Sequence, residues 1–410
     1  MPDFFPFPGL RYQLGAVDAE LKELTAPPYD VIDAEALARF EATHPLNAVY
    51  LILPRDRHPG DRYERAAATF TEWKRRGILA ADPPCFYLYR MSFTDESGRS
   101  RRMSGVVGAL GLSPPGEGLV LPHERTMPKP RGDRLELLRT VRANLDPVWG
   151  LSLAPGLSAA LEAADVRGVG CIDDDGVEHC LAPITDPELS GRITALVGSA
   201  PLVIADGHHR YETALTFYEE GRNRRQAAPG EASIMAFVVQ LAEDQLWVRP
   251  IHRLLSGMGS DLRHGLAACF TVTPAGANTP EAIRRLVSEM DRHEGMGLVD
   301  ADGLALLQPR PEVLGPELGH LSEPLRGVDA VRLDVALARI GFPEEIDYRP
   351  DALAVAAAVK KGAVEAAVLL RPVSVSQIQA VADAGERMPE KTTFFQPKPL
   401  TGLVFRSLDD

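Results

Sequence analysis

The sequence predicts an α+β fold, with mixed sheets, hairpins and packed helices. Two observations favour this class over a doubly wound parallel sheet. Segments typical of strands and of helices alternate irregularly along the chain, and several neighbouring strand-like segments are spaced as hairpins. Apolar residues make up 45% of the 410 residues, which is enough to bury a sizeable core.

The length corresponds to two or three domains of ordinary size. We expect an N-terminal α+β domain over residues 1–155 and a second region over residues 156–265. We expect residues 266–410 to form a C-terminal α+β region that returns the Lys-Thr-Thr-Phe-Phe segment to the candidate site described below.

Prolines and apolar periodicity predict the elements of the N-terminal region. A short helix stops at Pro27 and Pro28, which cannot continue it, and a second helix starts at Ala34. The apolar run 48–53 predicts a strand. Residues 63–76 predict a helix because their large apolar side chains recur on one side.

The same two periodicities predict the later elements. Residues 85–89 and 102–110 predict one hairpin, and residues 234–241 and 245–248 predict another. The other predicted strands are 148–153, 169–172, 202–204 and 366–370. The other predicted helices are 133–144, 187–196, 206–220, 333–340 and 353–360. Residues 270–308 predict a strand, a helix and a strand.

Charge and composition exclude several classes of partner. Lysine and arginine total 44 against 57 acidic residues, so the net charge of −13 argues against a nucleic-acid footprint. The longest apolar stretch, 352–370, is interrupted by Lys360, Lys361 and Glu365 and is a poor membrane span. Residues 1–10 lack the basic start and apolar run of a secretory signal. The four cysteines show no C-x-x-C spacing, so we expect a cytoplasmic protein without a cysteine-based zinc site.

The strongest functional signal is Asp-Gly-His-His-Arg, which follows a short predicted strand and opens a helix. Asp206 can cap that helix, and Gly207 allows a sharp turn and close approach to a ligand. The first turn then holds His208, His209 and Arg210, although helix N-termini favour acidic residues there. A bound anion reverses this mismatch because backbone N–H groups, the helix dipole and three nitrogen-bearing side chains converge on it. We interpret the segment as a phosphate-binding turn.

Two other interpretations of this segment stay open. In the first, His208 pairs with Asp206 or another carboxylate, and Arg210 lies on the surface. In the second, the two histidines bind a metal ion. Adjacent side chains on a helix point about 100° apart and rarely share one ion, so we predict no metal site there.

A second arginine occupies an unexpected face of the predicted helix 133–144. On a helical projection, Leu135 and Leu138 belong to an apolar stripe, and Arg142 falls inside it. A buried arginine needs a partner. That partner is either a structural carboxylate or a bound phosphate or carboxylate.

Two further polar segments carry candidate functional groups. A loop bounded by prolines holds His123, Glu124 and Arg125 and can present an acid–base pair rigidly. A solvated polar turn is the alternative. Near the C-terminus, the Lys-Thr-Thr segment 391–393 and Lys398 carry donors suited to a phosphate, and a closing strand is a compatible interpretation.

Several separated motifs occur in the order typical of one protein family. The motifs are Pro27–Ile32, Leu121–Thr126, Arg142–Asn144, Ala205–Leu215 and Met388–Phe395. On these motifs, and over nearly its whole length, the chain resembles the bacterial and archaeal family called domain of unknown function 1015. That resemblance implies no settled activity.

The Asp-Gly-His-His-Arg segment is also similar to the phosphate-binding box of ParB-like proteins, most of all to ParB-fold free-serine kinases. This local similarity implies a ParB-like phosphate-binding subdomain, with a phosphate bound between Asp206 and Arg210. It further implies ATP, ADP or pyrophosphate as phosphoryl donor and serine as acceptor.

These features favour a phosphotransferase or phosphohydrolase acting on a small hydroxy metabolite, with serine or phosphoserine as the best match. Mg²⁺ is a candidate cofactor because phosphates usually bring it. The catalytic candidates are Asp30, His123, Glu124 and His209. The candidates for phosphate or substrate binding are Arg125, Arg142, Asn144, Asp206, Gly207, His208, His209, Arg210, Lys391, Thr392 and Thr393.

In this hypothesis the two histidines and Arg210 hold the phosphate, and Arg142 and Lys391 neutralise its charge. Glu124 or Asp30 accepts the proton of the attacking hydroxyl. One alternative is a ParB-like regulatory protein that binds a nucleotide without turnover, and another is a structural protein with a chance basic patch. We expect a small phosphorylated metabolite or nucleotide as partner, with neither nucleic acid nor membrane, and a homo-oligomer is one option.

Overall fold

The computed structural model describes residues 1–114, 116–117, 119–122, 131–223, 227–258 and 262–409. These residues form two compact units. The first unit contains the described residues up to 247 together with 397–409, and the second contains those between 248 and 396. The described residues form helices and several sheets, the largest of which mixes parallel and antiparallel pairs, and this confirms the predicted α+β class. The three-part division at residues 155 and 265 stays a prediction.

The strands and helices are numbered in chain order. The strands are β1 (Phe4–Phe5), β2 (Gly9–Tyr12), β3 (Leu79–Ala81), β4 (Phe86–Thr94), β5 (Ser100–Gly111), β6 (Val120–Pro122), β7 (Ala143–Asn144), β8 (Val148–Ser152), β9 (Val169–Ile172), β10 (Glu178–Ile184), β11 (Leu202–Asp206), β12 (Ser233–Gln240), β13 (Trp247–Arg249), β14 (His252–Ser256), β15 (Phe270–Gly276), β16 (Met296–Asp300), β17 (Gly303–Pro309), β18 (Glu345–Arg349), β19 (Ala366–Leu369), β20 (Phe394–Gln396) and β21 (Phe405–Ser407). The helices are α1 (Leu21–Leu24), α2 (Ala34–Thr43), α3 (Val49–Ile52), α4 (Arg62–Arg75), α5 (Arg131–Val141), α6 (Leu157–Glu162), α7 (Pro187–Val197), α8 (His208–Asn223), α9 (Leu262–Leu266), α10 (Pro280–Arg292), α11 (Pro311–Leu318), α12 (Glu323–Arg326), α13 (Asp329–Ile340), α14 (Ala352–Lys360) and α15 (Val375–Asp383), with 3₁₀ helices at Tyr29–Val31 and Pro229–Ala232.

Within the described residues, the first unit holds a nine-stranded sheet in the order β6-β11-β8-β12-β5-β4-β10-β9, and β1 pairs with β5. β6 with β11 and β8 with β12 are parallel pairs, whereas the other pairs are antiparallel. β4 and β5 form the predicted hairpin. The sheet places the C-terminal end of β11, where the Asp-Gly-His-His-Arg segment begins, beside β8.

Close packing in this sheet depends on small residues in β5. A Cβ atom on Gly108 would lie 2.4 Å from the ring of Phe4 and 2.7 Å from that of Phe86. Both rings are buried and stack with their centroids 5.1 Å apart. Glycine is therefore needed where the aromatic core meets the strand backbone.

The C-terminal segment is an integral part of the first unit. β21 pairs with β2 and β7 in a four-stranded antiparallel sheet, with β3 at the other edge of β2. Arg406 in β21 is buried and donates hydrogen bonds to Asn144 Oδ1 at 3.0 Å and to Ser233 Oγ at 2.7 Å. Burial lowers the pKa of Arg406 to about 10. These bonds fix residues 397–409 within the unit.

The second unit is built on a six-stranded antiparallel sheet of described residues, in the order β15-β17-β16-β19-β14-β18. Helices α10 and α14 pack on it through Leu286 and Val355, which are almost fully buried. β13 pairs with β20 in a separate two-stranded sheet. The predicted strand, helix and strand over 270–308 correspond to β15, α10 and the β16–β17 pair.

Three predictions about local structure are wrong. The run 48–53 forms the short helix α3, because Asn47 Oδ1 accepts the Val49 N–H and because Leu51 and Ile52 pack in the core. The second hairpin does not form, since β12 pairs with β5 and β8 while β13 pairs with β20. Helix α5 ends at Val141 rather than at residue 144. Core packing at residues 48–53 and long-range strand pairing of β12 outweigh the local pattern.

None of the helices within the described ranges combines the length and the apolar character that crossing a membrane requires.

We predict that Gly108→Ala destabilises the protein by about 1–3 kcal/mol, because the added methyl group overpacks the core. Gly191→Ala in α7 is the matched control. Apart from its chain neighbours and the backbone of its own helix turn, no described atom lies within 4 Å of the new Cβ, and we expect the variant to be more stable by about 0.5–1 kcal/mol. Urea denaturation measures both changes. Equal stabilities of the two variants would contradict the packing argument.

Candidate functional site

The junction between β11 and α8 has the geometry of an anion-binding turn. The register of β11 against β8 shifts between Ile204 and Asp206, and such irregularities often redirect side chains beside functional sites. Gly207 then adopts a φ of 86°, and its carbonyl accepts the Tyr211 N–H at 3.0 Å. α8 therefore begins at His208, two residues after the start of the predicted helix.

Glycine is required at position 207 for two reasons. Its positive φ is unfavourable for residues with a side chain. A Cβ atom there would also lie 2.9 Å from Nε of Arg210. The turn thus brings the backbone close to the Arg210 side chain.

Asp206 links two cations from distant parts of the chain. One carboxylate oxygen accepts a hydrogen bond from Arg210 Nη2 at 2.7 Å, and the other accepts one from Lys398 Nζ at 2.5 Å. All three side chains are largely buried, with exposed fractions of 16% for Asp206, 9% for Arg210 and 11% for Lys398. We call these three residues the Asp206 clamp. Its formal charges sum to one net positive charge.

The ionisation of Asp206 follows from this arrangement. Burial alone raises the pKa of its carboxyl, but the charges of Lys398 and Arg210 outweigh burial, and the net pKa lies well below its usual range. The carboxylate therefore remains ionised and keeps both cations in place.

Arg210 is held from two sides. Its Nη1 donates to the Pro147 carbonyl at 2.5 Å, whereas its Nε is buried and has no hydrogen-bond partner within the part of the chain that the structure describes. Burial lowers the pKa of this guanidinium, but the carboxylates of Asp206, Asp146 and Asp30 raise it further, so it stays charged. The interpretation that places Arg210 on the surface is wrong.

His208 and His209 occupy the first turn of α8 and are half-buried. The first N–H groups of a helix lack acceptors within the helix. Two imidazoles, these N–H groups and the positive end of the dipole therefore share one location. Among the described residues, no group of three His, Cys, Asp or Glu side chains is placed to hold a metal ion.

A second group of charged residues lies next to the clamp. The Arg134 guanidinium stacks over the Tyr29 ring at 4.3 Å and donates to the Ile52 carbonyl at 2.7 Å. Asp146 is buried, and its carboxylate accepts a hydrogen bond from the Thr401 hydroxyl. Burial raises the pKa of Asp146, although Arg210, the Thr401 hydroxyl and Arg134 partly offset this rise. Asp146 and Asp206 thus sit in contrasting environments.

A partly enclosed cavity of about 60 Å³ adjoins this group. Its polar walls are Arg134, Asn144, Asp146, Arg210 and Thr213, and the remaining walls are apolar side chains of α5, α8, β12 and the β7 segment. This volume accommodates a few non-hydrogen atoms.

The structure gives Arg142 a different setting from the predicted one. It follows the end of α5 with a φ of 52°, so it is not part of an apolar helix stripe. Its Nε donates to Asp409 at 2.6 Å and its Nη2 to Glu231 at 2.9 Å. The partners of Arg142 are therefore structural carboxylates, which was one of the two alternatives for this residue. Asn144 lines the cavity, and its Oδ1 accepts the Met235 N–H at 3.0 Å.

Six other predicted site residues lie outside the described residues or in the second unit. His123, Glu124 and Arg125 lie outside the described residues. Lys391 belongs to the second unit, where its carbonyl accepts from Arg253 at 2.9 Å and its φ is 56°. Thr392 and Thr393 are buried in the same unit, and Thr392 Oγ1 donates to the Pro389 carbonyl at 2.7 Å. Their contacts to a phosphate stay predictions.

Sequence reasoning missed three residues of this site: Arg134, Asp146 and Thr401. It considered Lys398 as a phosphate donor near Lys391 and did not pair it with Asp206. One local signal was available, because an aspartate placed just before a buried strand is unusual and needs a partner. The Thr401 partner is 255 residues away in the chain, so its pairing with Asp146 has no local signature.

Comparisons with known proteins assign the family. The model of the family described as "Protein of unknown function (DUF1015)" matches residues 4–336, and the chain belongs to this family. No curated protein matches the sequence.

Several solved structures show weak overall similarity. A free serine kinase variant in complex with AMP is 14% identical with a TM-score of 0.37, over 67% of this chain and 83% of that one. A conserved hypothetical protein from Pyrococcus furiosus is 13% identical with a TM-score of 0.37, over 71% and 93%. SbnI from Staphylococcus aureus, with a C-terminal truncation, is 11% identical with a TM-score of 0.37, over 72% and 85%.

We predict that Asp206→Asn destabilises the protein at pH 7 by roughly 3 kcal/mol, because Arg210 and Lys398 lose their buried countercharge. The pKa of Asp206 is lower in the folded protein than its unfolded value of about 3.9. The contribution of its carboxylate to the free energy of unfolding is therefore complete at a pH above the unfolded pKa and is lost as the pH falls below it. The difference between wild type and variant should therefore shrink at pH 3.

Urea denaturation at both pH values measures this difference. The control is Asp347→Asn in β18, whose pair with Arg349 is about half exposed and is expected to contribute less than about 1 kcal/mol. If Asp206→Asn lowers the free energy of unfolding no more than the control does, the clamp contributes little to stability.

Proposed function

We propose that the protein binds the phosphate group of a small molecule or nucleotide at the start of α8 and transfers or hydrolyses it. The observation that carries this proposal is the junction at Gly207. A strand, a glycine with positive φ and a 16-residue helix place backbone N–H groups and a helix dipole at one point. The resemblance of this segment to the phosphate-binding box of ParB-like proteins supports it.

Charge at the junction supports an anionic ligand. The Asp206 clamp carries one net positive charge, and His208 and His209 add nitrogen donors in the same turn. A site in which Arg210 and Lys398 are already fixed needs little rearrangement when charge develops on a transferring phosphoryl group. In this proposal Asp206 positions the two cations rather than touching the phosphate.

The reaction class follows from the groups beside the turn. A carboxylate near Arg210 accepts the proton of an attacking hydroxyl. Asp30 and Glu124 are the candidates from the sequence. The phosphoryl donor is a nucleotide or pyrophosphate, the acceptor is a small hydroxy compound such as serine, and Mg²⁺ accompanies the donor. The phosphohydrolase alternative, in which water attacks the phosphorus of phosphoserine and the serine hydroxyl leaves, uses the same groups.

We predict that pyrophosphate, ADP, ATP or phosphoserine raises the Tm of the wild type, since a ligand that binds only the folded state stabilises it. His209→Ala should weaken the binding of that ligand about tenfold or more, because a charge-assisted hydrogen bond is lost. The control is His293→Ala on α10, whose imidazole pairs with Glu289 and is 46% exposed. Calorimetric titration measures both affinities.

Two results would count against the phosphate site. Either no phosphate compound stabilises the wild type at millimolar concentration, or His209→Ala and His293→Ala bind it equally well. A separate assay follows phosphoryl transfer from ATP, ADP or pyrophosphate to serine, and phosphate release from phosphoserine. Binding without any turnover favours the regulatory alternative.

A further inference from the structure

The cavity next to Arg210 exposes one carboxylate that the phosphate site does not use. Asp146 lines this cavity, and one of its oxygens accepts a hydrogen bond from the Thr401 hydroxyl. Its other oxygen, Oδ2, accepts no hydrogen bond from the described residues. Thr401 is itself fixed, because it exchanges two backbone hydrogen bonds of 2.8 and 3.1 Å with Ala26. The carboxylate is therefore held in one orientation beside open space.

The walls of the cavity suit a small polar head with a short apolar stem. Arg134, Asn144 and Arg210 supply polar groups to the cavity beside Asp146, and the remaining walls include leucine, alanine and isoleucine side chains. The volume of about 60 Å³ limits the occupant to a few non-hydrogen atoms. A nucleoside is far larger than this space.

Asp146 is better placed than Asp30 to act on such an occupant. Asp30 lies on an exposed 3₁₀ turn, whereas Asp146 is 8% exposed and forms part of the cavity wall. Arg210 lines the cavity and is bonded to Asp206, which belongs to the phosphate-binding junction. A hydroxyl near Asp146 is thus adjacent to the proposed phosphate site.

We propose that this cavity binds the hydroxyl-bearing end of a small alcohol, the phosphoryl acceptor, and that Asp146 accepts its proton. The inference rests on the proposed function. The acceptor O–H proton passes to Asp146, and the oxygen forms a bond to phosphorus. The bond between phosphorus and the oxygen of the leaving group breaks, and the electron pair leaves with the nucleotide or with phosphate. The phosphoryl donor is a nucleoside polyphosphate or pyrophosphate.

The first experiment measures binding without turnover. Saturation-transfer NMR tests glycerol, ethanolamine, glycolate and serine with the wild-type protein and with Ala214→Leu and Leu138→Phe, both of which fill the cavity. The control is Ala195→Leu on the exposed side of α7. We expect at least one alcohol to bind the wild type and the control, and to bind the filled variants at least tenfold more weakly. Thermal unfolding verifies that each variant is folded.

The second experiment measures transfer. Asp146→Asn keeps an oxygen for the Thr401 hydroxyl and should lower kcat at least 100-fold while changing alcohol and pyrophosphate affinities less than threefold. Asp30→Asn should lower kcat less than tenfold. Equal losses in the two variants, or a larger loss in Asp30→Asn, would overturn the assignment to Asp146.

The outcomes separate this inference from the proposed function. Failure of every alcohol to bind, or equal binding by Ala214→Leu, overturns the cavity assignment even where pyrophosphate binds. If no phosphate compound binds, the proposed function is overturned. The alcohol-binding data still show whether the cavity is the alcohol site. Absence of any transfer by the wild type overturns the catalytic role of Asp146.

Discussion

The double hydrogen bond of Asp206 to Arg210 and Lys398 is the interaction on which the candidate site depends. It connects the end of β11, the first turn of α8 and the C-terminal segment, which are separated by up to 192 residues. Two buried cations so close together repel each other unless a carboxylate lies between them. The Asp206 carboxylate lies between the two cations beside a helix N-terminus, which itself favours anions.

Two buried carboxylates divide the chemistry of this region. Asp206 contacts two cations directly and has a lowered pKa, whereas burial raises the pKa of Asp146. Carboxylates whose environments push their pKa values apart are suited to different roles, one as fixed charge and the other as proton acceptor. The C-terminal segment supplies a partner to each, because Lys398 contacts Asp206 and Thr401 contacts Asp146. Its position therefore controls both carboxylates.

Local chemistry determines those features of the site that could be predicted from the sequence. The strand, Gly207 and the start of α8 follow from apolar pattern and turn residues within a short window. The pairs that Lys398 forms with Asp206 and Thr401 forms with Asp146 span 192 and 255 residues, and one sequence holds no signal for such long-range pairing. Arg142 was predicted to be buried because it was placed on a helix. The helix ends before it, and Arg142 has a φ of 52°. Residues 48–53 have the composition of a strand. They are helical because Asn47 Oδ1 accepts a hydrogen bond from the Val49 N–H and because their side chains pack in the core.

A crystal structure of the protein with tungstate, a heavy analogue of phosphate, tests the central claim most directly. The account predicts an anomalous peak at the start of α8, within about 4 Å of the backbone nitrogen of His209, because the helix N–H groups and the Asp206 clamp attract a tetrahedral anion there. Tungstate bound only at other positions, or no peak at a concentration that saturates binding in solution, would contradict the account.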